Sequence, residues 1–263
     1  MTDIAKQVVW ITGASSGIGE ALAVAASRRG ARLVLTARRA SELDRVRGRC
    51  ATPADVAVLP LDLEQFDADA AAAQAAGAFG PVDVLVNNAG ISQRSLVVDT
   101  AMPVYRRIME LDFFAPVALT KAVLPGMLAR RRGHVVAISS VAGKVATPLR
   151  SGYAAAKFAL HGFYDAMRAE LWTQGVKVTV IVPGFIRTDV SINAVTGGGE
   201  PYGTMDGKQA KGMDPAVCAE RIWRAVQAEK SEAMIGGVET LAAYLKRLSP
   251  ALAERVIRNA KVT

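Results

Sequence analysis

The chain has 263 residues, of which 51% are hydrophobic and 21% charged, and it carries a formal net charge of +8. This composition excludes disordered and fibrous chains, and the length suits one large α/β domain with a substantial core. The two cysteines, Cys50 and Cys218, lie far apart without a CxxC spacing, so we expect neither a metal site nor a disulfide framework.

The apolar residues occur in short runs. None reaches the ~18 to 20 residues that cross a bilayer. The first residues, MTDIAKQVVWITG, lead directly into a strand pattern that leaves no room for a secretory signal. We therefore expect a cytoplasmic protein without an integral membrane segment.

Arginines cluster in two places. Eight of them lie between Arg28 and Arg49, and three more are consecutive at residues 130–132. No aromatic residues are interleaved with them and no basic helix or zinc pattern accompanies them, so we expect no nucleic-acid partner. The first cluster suits either a solvated surface or a phosphate-bearing small molecule.

Short β-branched segments alternate with helical ones along most of the chain. Continuous apolar runs of this kind are typical of strands buried on both faces, as in a parallel sheet covered by helices. The predicted strands are VVWI, RLVLT, VAVLPL, VDVLVN, HVVAIS and KVTVIV, with a further short one near AMIGG. The predicted helices cover residues 17–29, 40–49, 66–79, 104–131 and 153–172. This alternation predicts a Rossmann-type, doubly wound α/β fold, with about seven mainly parallel strands and helices on both faces.

The last third departs from the alternation, but no linker divides the chain, and we expect a single domain over residues 1–263. Residues 184–214 contain the glycine-rich TGGGEPYGTMDGK, and we interpret this long loop as a substrate loop or lid.

Residues 215–263 are predicted to form a C-terminal extension that begins with a helix at Pro215 and ends with a helix apolar on one face. That face carries Leu241, Tyr244, Leu245, Leu248 and Leu252. A core or oligomer interface is favoured for it, and nearby basic residues leave peripheral membrane contact open.

The first predicted strand ends in TGASSGIG. Gly13, Gly17 and Gly19 stand where the chain turns sharply into a helix, and glycine permits both the turn and a close approach of the backbone to a pyrophosphate. The helix N-terminus adds N–H donors and a favourable dipole. A tight turn without a ligand is the alternative, but the position directly after the first strand favours nucleotide binding.

The end of the second strand bears on the choice of cofactor. Arg38 and Arg39 follow it, and no acidic residue occurs between Gly30 and Glu42. An acidic residue here would bond the ribose 2′-hydroxyl of NAD, whereas a guanidinium matches a 2′-phosphate. The sequence therefore predicts NADP(H), with Arg38 as the principal contact and Arg39 or Ser15 assisting.

A possible proton-transfer pair lies in SGYAAAKFALHGF. Tyr153 and Lys157 are one helical turn apart and share a helix face. On its own this spacing is close to chance, and an ordinary helix face is the alternative. A catalytic reading gains weight only in combination with the glycine turn.

In combination the motifs are characteristic. TGASSGIG, NNAG at residues 87–90, ISS at 138–140, YAAAK at 153–157 and PGFIRT at 183–188 occur in this order. With this order and spacing, residues from about 8 to 235 closely resemble the short-chain dehydrogenase/reductase family. The stretches TPLRSGYAAAKFALHGFYDAMRAEL and SINAVTGGGEPYGTMDG further resemble its subgroup of dehydrogenase/reductase members 7 and 7B.

The resemblance implies roles for individual residues. Ser140, rather than Ser139, is the catalytic serine that positions the substrate oxygen, Tyr153 donates the proton, and Lys157 supports the phenolate and grips the ribose. The implied cofactor-binding positions are Gly13, Ser15, Ser16, Gly17, Ile18, Gly19, Arg38, Arg39, Asp62, Asn88, Ala89, Gly90, Tyr153, Lys157, Pro183, Gly184, Ile186 and Thr188. The family also implies a small carbonyl or alcohol substrate and a homodimer or homotetramer.

One position departs from the family pattern. Relatives carry an asparagine in the long central helix that helps to hold a water for a proton relay, and here LDFFAP places Asp112 there. An aspartate accepts hydrogen bonds but lacks the amide donor. Asp112 is therefore either a tolerated variant or a residue that slows or retunes the relay.

The sequence thus predicts an NADP(H)-dependent oxidoreductase that interconverts a carbonyl and an alcohol on an apolar small molecule. The alternative is an NADP(H)-binding sensor or scaffold with little catalysis, which the presence of Ser140, Tyr153 and Lys157 together disfavours.

Overall fold

The computed structural model describes residues 2–258 and residue 260. Within them, seven strands form one parallel sheet in the order β3-β2-β1-β4-β5-β6-β7. The strands are β1 Val8–Thr12, β2 Arg32–Ala37, β3 Val56–Pro60, β4 Val84–Asn87, β5 Gly133–Ile138, β6 Val176–Pro183 and β7 Glu232–Ile235. The predicted doubly wound fold is confirmed.

Ten α-helices lie in the described residues. They are α1 Gly17–Ser27, α2 Ala40–Arg49, α3 Ala68–Phe79, α4 Met102–Met109, α5 Ala115–Ala129, α6 Ser151–Glu170, α7 Gly207–Ala210, α8 Pro215–Gln227, α9 Leu241–Leu248 and α10 Pro250–Arg258.

Alternating side chains of β1 enter two separate layers of the core. Val9 and Ile11 pack with α1 and α8 on one face of the sheet, and Trp10 packs with α3, α5 and α6 on the other. Because both faces are covered, the central strands are apolar throughout, which is why the sequence presents them as continuous hydrophobic runs. On the first face, α8 lies against α1, and the buried Trp223 donates its indole N–H to the carbonyl oxygen of Leu22 at 3.1 Å.

The carboxyl ends of the parallel strands meet at one edge of the sheet. β1 pairs with β2 on one side and with β4 on the other, so the strand order reverses at β1. In doubly wound folds this reversal leaves a crevice at which ligands bind.

The predicted helix over residues 104–131 is present as Met102–Ala129, but it is not α-helical throughout. A π-helical turn, Glu110–Phe114, separates α4 from α5 and contains the buried Asp112. Such turns are frequent at functional sites, because the extra residue redirects a side chain. By length and composition alone, the whole stretch Met102–Ala129 could cross a membrane, although 44% of its most apolar window is buried in this protein.

The C-terminal segment also differs in part from expectation. α8 and β7 belong to the layered domain itself, since β7 extends the sheet beside β6. The prediction of a single final helix is wrong, because α9 and α10 are separate helices. The chain leaves the helical conformation at Ser249, and Pro250 has no N–H with which to continue the hydrogen bonds of α9. Both helices leave apolar side chains exposed, among them Leu241 and Leu248.

Candidate active site

The predicted site residues meet in one cleft of about 830 Å³ at the carboxyl edge of the sheet. Its lining comes from the strand ends and from the loops that follow them. All predicted cofactor and catalytic residues line this cleft except Gly19: Gly13, Ser15, Ser16, Gly17, Ile18, Arg38, Arg39, Asp62, Asn88, Ala89, Gly90, Asp112, Ser140, Tyr153, Lys157, Pro183, Gly184, Ile186 and Thr188. In the described part of the chain, no group of three or more metal-binding side chains occurs.

The glycine turn has the shape that a dinucleotide requires. Gly13 and Gly17 adopt φ of +63° and +59°, which favours glycine. Ser16 stands at the N-cap of α1 but its side chain accepts no capping hydrogen bond from the described residues. The first N–H groups of α1 therefore remain available to a phosphate at the cleft wall.

Gly19 does not line the cleft but packs against the glycine turn from the inside of the protein. A Cβ on Gly19 would overlap the carbonyl oxygen of Gly13 and approach Asn88 Nδ2 to 2.6 Å. Asn88 itself holds the turn, because its Nδ2 donates to the carbonyl oxygens of Thr12 and Gly13 at 2.9 and 3.2 Å. These residues fit a nicotinamide dinucleotide by leaving room for its pyrophosphate beside uncapped donors.

The adenosine end of the cleft is rich in charge. Arg38 has a side chain that is 61% exposed and lies 3.9 Å from Glu64, which Arg107 binds through both carboxylate oxygens. Asp62 accepts the N–H of Glu64 at 3.0 Å, which fixes this loop. Arg38 and Arg39 thus lie where the second strand ends, with their guanidinium groups accessible from the cleft.

Helix α6 carries the predicted proton-transfer residues on one face. Lys157 Nζ lies 5.6 Å from the ring centroid of Tyr153, and both side chains line the cleft. Ser140 is half-buried at the end of β5, and its Oγ accepts the N–H of Ala142 at 3.1 Å.

The hydroxyl of the neighbouring serine is engaged by helix α6. Ser139 is buried, and its Oγ lies 3.0 Å from His161 Nε2 and 3.3 Å from the carbonyl oxygen of Lys157. Successive side chains after β5 point in opposite directions. The Ser139 hydroxyl therefore contacts α6, and the Ser140 side chain points into the cleft.

Lys157 is held from two sides. Its Nζ lies 3.2 Å from Asp112 Oδ2 and donates to the carbonyl oxygen of Ile138 at 3.2 Å. Asp112 is completely buried, and its other oxygen accepts the N–H of Ile91 at 2.8 Å. Burial alone would lower the pKa of Lys157, but the Asp112 carboxylate and Tyr153 outweigh it and raise that pKa above its ordinary value. Lys157 is consequently held in its protonated form more strongly than burial alone would allow.

The loop after β6 forms the end of the cleft at which the nicotinamide is expected. Pro183, Gly184, Ile186 and Thr188 all line the cleft there. The sequence analysis missed Glu239, which precedes α9 and accepts the N–H of Phe185 at 2.9 Å. A Cβ on Gly184 would overlap the Glu239 carboxylate, so a glycine is needed at this contact.

The sequence analysis also missed a charged cluster at the substrate end. Arg94 and Asp206 were not predicted, and Arg150 was not assigned a role. Asp206 belongs to the 184–214 loop and lies against both arginines. No local pattern signals such contacts, because the partners are 56 and 112 residues apart in the chain.

Comparison with known proteins decides the family. The family model described as short chain dehydrogenase matches residues 7–197. The cattle protein (Bos taurus) "Dehydrogenase/reductase SDR family member 7B" is 44% identical over 263 residues, covering 97% of this chain and 81% of its own length. The chain is a short-chain dehydrogenase/reductase. Within the family it belongs to the member 7 subgroup, as the sequence motifs predicted.

Solved structures of other short-chain dehydrogenases agree with this fold. A metagenomic short-chain oxidoreductase in complex with NADP is 30% identical, with a TM-score of 0.72 over 89% of this chain and 98% of that one. A Burkholderia phymatum short-chain dehydrogenase in complex with NAD has a TM-score of 0.83 at 20% identity, over 96% of each chain, and supports the fold. This short-chain dehydrogenase is therefore an oxidoreductase with a nicotinamide cofactor and a small-molecule substrate.

Proposed function

We propose that this short-chain dehydrogenase interconverts a carbonyl and an alcohol on a largely apolar small molecule, with NADP(H) as cofactor. The observation that carries the proposal is the convergence of Ser140, Tyr153 and Lys157 on one cleft, next to the glycine turn. Apolar side chains of Val145, Val195 and other residues line the substrate end of that cleft.

The reaction needs a proton donor and a stabiliser of negative charge at the substrate oxygen. A bound nicotinamide supplies or takes up the hydride. In the reductive direction, Tyr153 gives its phenolic proton to the oxygen, and the Ser140 hydroxyl donates a hydrogen bond that positions the same atom. In the oxidative direction Tyr153 takes the proton back.

Lys157 makes this exchange possible near neutral pH. A tyrosine has an ordinary pKa near 10, and an adjacent ammonium favours its phenolate. Asp112 keeps Lys157 protonated, although its own negative charge partly offsets the effect of the ammonium on Tyr153. We expect Asp112 to tune the pH at which the proton transfer works.

Arg38 and Arg39 support NADP(H) as the preferred cofactor. Their planar guanidinium groups match a 2′-phosphate bidentately, and no carboxylate occupies the position after β2 that would bond a ribose hydroxyl of NAD. Glu64 lies near Arg38 but is already engaged by Arg107. The expected homo-oligomer and cytoplasmic location stay predictions.

A second candidate function is an NADP(H)-binding sensor with little catalysis. The observation that favours it is the direct pairing of Lys157 with Asp112, whose negative charge offsets the effect of the ammonium on Tyr153. This candidate binds the cofactor in the same way but needs no proton donor.

The test uses consumption of NADPH against a panel of aldehydes, ketones, steroids and oxoacyl compounds. We expect turnover in the wild type and a loss of roughly a hundred- to ten-thousandfold in Tyr153→Phe, because the proton donor is removed. NADPH affinity should be unchanged in this variant. Tyr244→Phe is the matched control, since Tyr244 lies half-exposed on α9. Full activity in Tyr153→Phe would refute the mechanism, and a silent panel with tight NADPH binding would favour the sensor.

A further inference from the structure

His161 is a buried titratable residue that the proposed mechanism does not use. It lies on α6, one turn beyond Lys157, and is 7% exposed. Its Nε2 lies 3.0 Å from Ser139 Oγ, and its Nδ1 lies 3.4 Å from Glu232 Oε2 on β7. The same carboxylate oxygen pairs with Lys144 Nζ at 2.6 Å. We call Ser139, His161, Glu232 and Lys144 the His161 network.

The sequence of serine, histidine and carboxylate in this network is that of a nucleophilic triad, but the serine is closed to a substrate. Ser139 is 3% exposed, and its hydroxyl donates to the carbonyl oxygen of Lys157 at 3.3 Å. A Cβ on Gly143 would lie 2.7 Å from Ser139 Oγ, so the glycine backbone covers that side of the hydroxyl. The His161 network therefore acts on the protein itself and not on a ligand.

The network holds both ends of the segment that carries Ser140. Ser139 precedes Ser140 directly after β5, and Lys144 follows the short 3-10 turn Val141–Gly143, of which Ser140 is the N-cap residue. One end of the segment is joined to the β7 carboxylate through His161, and the other end is joined to it directly through Lys144. The position of Ser140 is therefore fixed relative to both α6 and β7.

Helix α6 connects this network to the proton-transfer residues. His161 lies four residues after Lys157 and eight after Tyr153 on the same helix. The contacts that hold the Ser140 segment therefore hold it against the helix that presents the proton donor. The reaction requires the Ser140 and Tyr153 hydroxyls to meet at one substrate oxygen, and a misplacement of ~1 Å costs on the order of 100-fold in rate.

Charge stabilises the arrangement. The His161 imidazole, followed by the Lys144 ammonium, lowers the pKa of the Glu232 carboxyl to about 2, against the partial burial that would raise it. Glu232 is therefore a carboxylate at every pH at which the enzyme is assayed, and it accepts from both partners. Because a carboxylate cannot donate, His161 presents the hydrogen of Nδ1 to it.

We propose that His161 is a positioning residue, which holds the Ser140 hydroxyl where it and Tyr153 can meet the same substrate oxygen. This proposal rests on the proposed function and deepens it by naming a group outside the cleft that sets the geometry of proton transfer. His161 does not line the cleft, so it acts only through its neighbours.

The first test measures kcat with NADPH and any ketone that the wild type reduces. His161→Phe keeps a ring but removes both hydrogen-bonding nitrogens, and we expect kcat to fall roughly 10- to 100-fold while NADPH affinity is unchanged. His161→Gln should recover part of this loss, because its amide can replace one ring nitrogen.

His134→Phe is the matched control, since His134 is also buried but lies at the opposite end of β5, beside Thr179. It should lower the melting temperature and leave kcat within threefold of the wild type. Equal losses of kcat in both phenylalanine variants would indicate a general loss of stability and would overturn the proposal. So would wild-type kcat in His161→Phe.

A double-mutant cycle tests whether His161 acts through Ser140. Ser140→Ala removes the hydroxyl that the network positions, so His161→Phe should then lower the remaining single-turnover rate by less than threefold. The same substitution should cost roughly 10- to 100-fold when Ser140 is present. Losses that multiply would show that His161 acts independently of Ser140, contrary to the proposal.

Hydrogen exchange separates this proposal from the proposed function, because it needs no turnover. In His161→Phe, the amides of residues 139–145 should exchange at least tenfold faster than in the wild type, whereas those of residues 12–19 in the glycine turn should be unchanged. His134→Phe should leave both segments as they are. Faster exchange in a protein that reduces no ketone would support the hold on the Ser140 segment, and only the proposed reaction would fail. Unchanged exchange of residues 139–145 would overturn the positioning role, whether or not the enzyme turns over.

Discussion

At the cofactor end of the cleft, recognition is built from the backbone. Gly13, Gly17 and Gly19 lie within seven residues of one another, and their lack of side chains creates the space for a pyrophosphate. At the opposite end, charged side chains from distant parts of the chain, Arg94, Arg150 and Asp206, meet in one buried cluster. The first end therefore depends on glycines at fixed positions, whereas the second depends on side chains that single substitutions can replace.

The two ends also differ in how they tolerate change. A backbone site fails when any atom is added to it, because the backbone cannot move without moving a strand or helix. A side-chain site loses one interaction at a time and keeps its shape. The following predictions test this difference, beginning with the largest expected effect.

The largest effect is expected at the glycine turn. Gly19→Ala should weaken NADPH binding by at least ~100-fold, because the new Cβ overlaps the Gly13 carbonyl and forces the turn to shift. Titration of NADPH fluorescence measures this change. Gly48→Ala is the control, since a Cβ at Gly48 of α2 meets no described atom within 4 Å. Unchanged affinity in Gly19→Ala would show that this end is as adaptable as the other.

A smaller effect is expected at Arg38, where the cofactor end uses a side chain. Arg38→Asp should lower kcat/KM with NADPH by roughly 10- to 100-fold and improve the use of NADH, because a charged hydrogen bond to phosphate is replaced by repulsion. Arg47→Asp makes the same change of charge on the exposed surface of α2 and should have little effect. An unaltered ratio of NADPH to NADH activity in Arg38→Asp would contradict the assignment of NADP(H).

The smallest effect concerns Asp112. The carboxylate raises the pKa of Lys157, so its removal in Asp112→Asn lowers that pKa and the ammonium is lost at a lower pH. In this variant no carboxylate charge offsets the charge of Lys157. As long as Lys157 remains protonated, it therefore favours the Tyr153 phenolate more strongly. Both effects move the pH–rate profile for alcohol oxidation toward lower pH, by about one unit.

The profile is measured from pH 6 to 11 with any alcohol that the enzyme oxidises, beside Asp189→Asn as a control on an exposed carboxylate of the cleft rim. An unchanged profile in Asp112→Asn would identify Asp112 as a tolerated variant. A profile displaced toward higher pH would contradict the assigned role of its negative charge.

The features that could be predicted from the sequence are those with a local pattern in the chain. Strands such as β2 could be predicted because burial on both faces leaves a continuous apolar run. The glycine turn and the pair Tyr153 and Lys157 could be predicted because each motif is local in the chain. The π-helical turn Glu110–Phe114 could not, since an i→i+5 hydrogen bond has no distinctive local pattern.

Other features depended on contacts between distant residues. The bond from Phe185 to Glu239 joins separate elements, so neither residue type nor spacing predicts it. The proximity of Asp112 to Lys157 was predictable only through the resemblance to the family, not from a local pattern. The break between α9 and α10 could have been predicted from Pro250, a signal that the prediction of a single final helix overlooked.

The contact between α8 and α1 has a consequence for biosynthesis. Helix α1 is synthesised well before α8, but the surface around Leu22 is covered by Trp223 and its neighbours only when α8 has been made. Until then, the apolar side of α1 that packs against α8 is exposed to solvent, directly after the glycine turn. We therefore expect the dinucleotide site to mature only after α8 has been synthesised, and the apolar flank of α1 to be prone to aggregation until then.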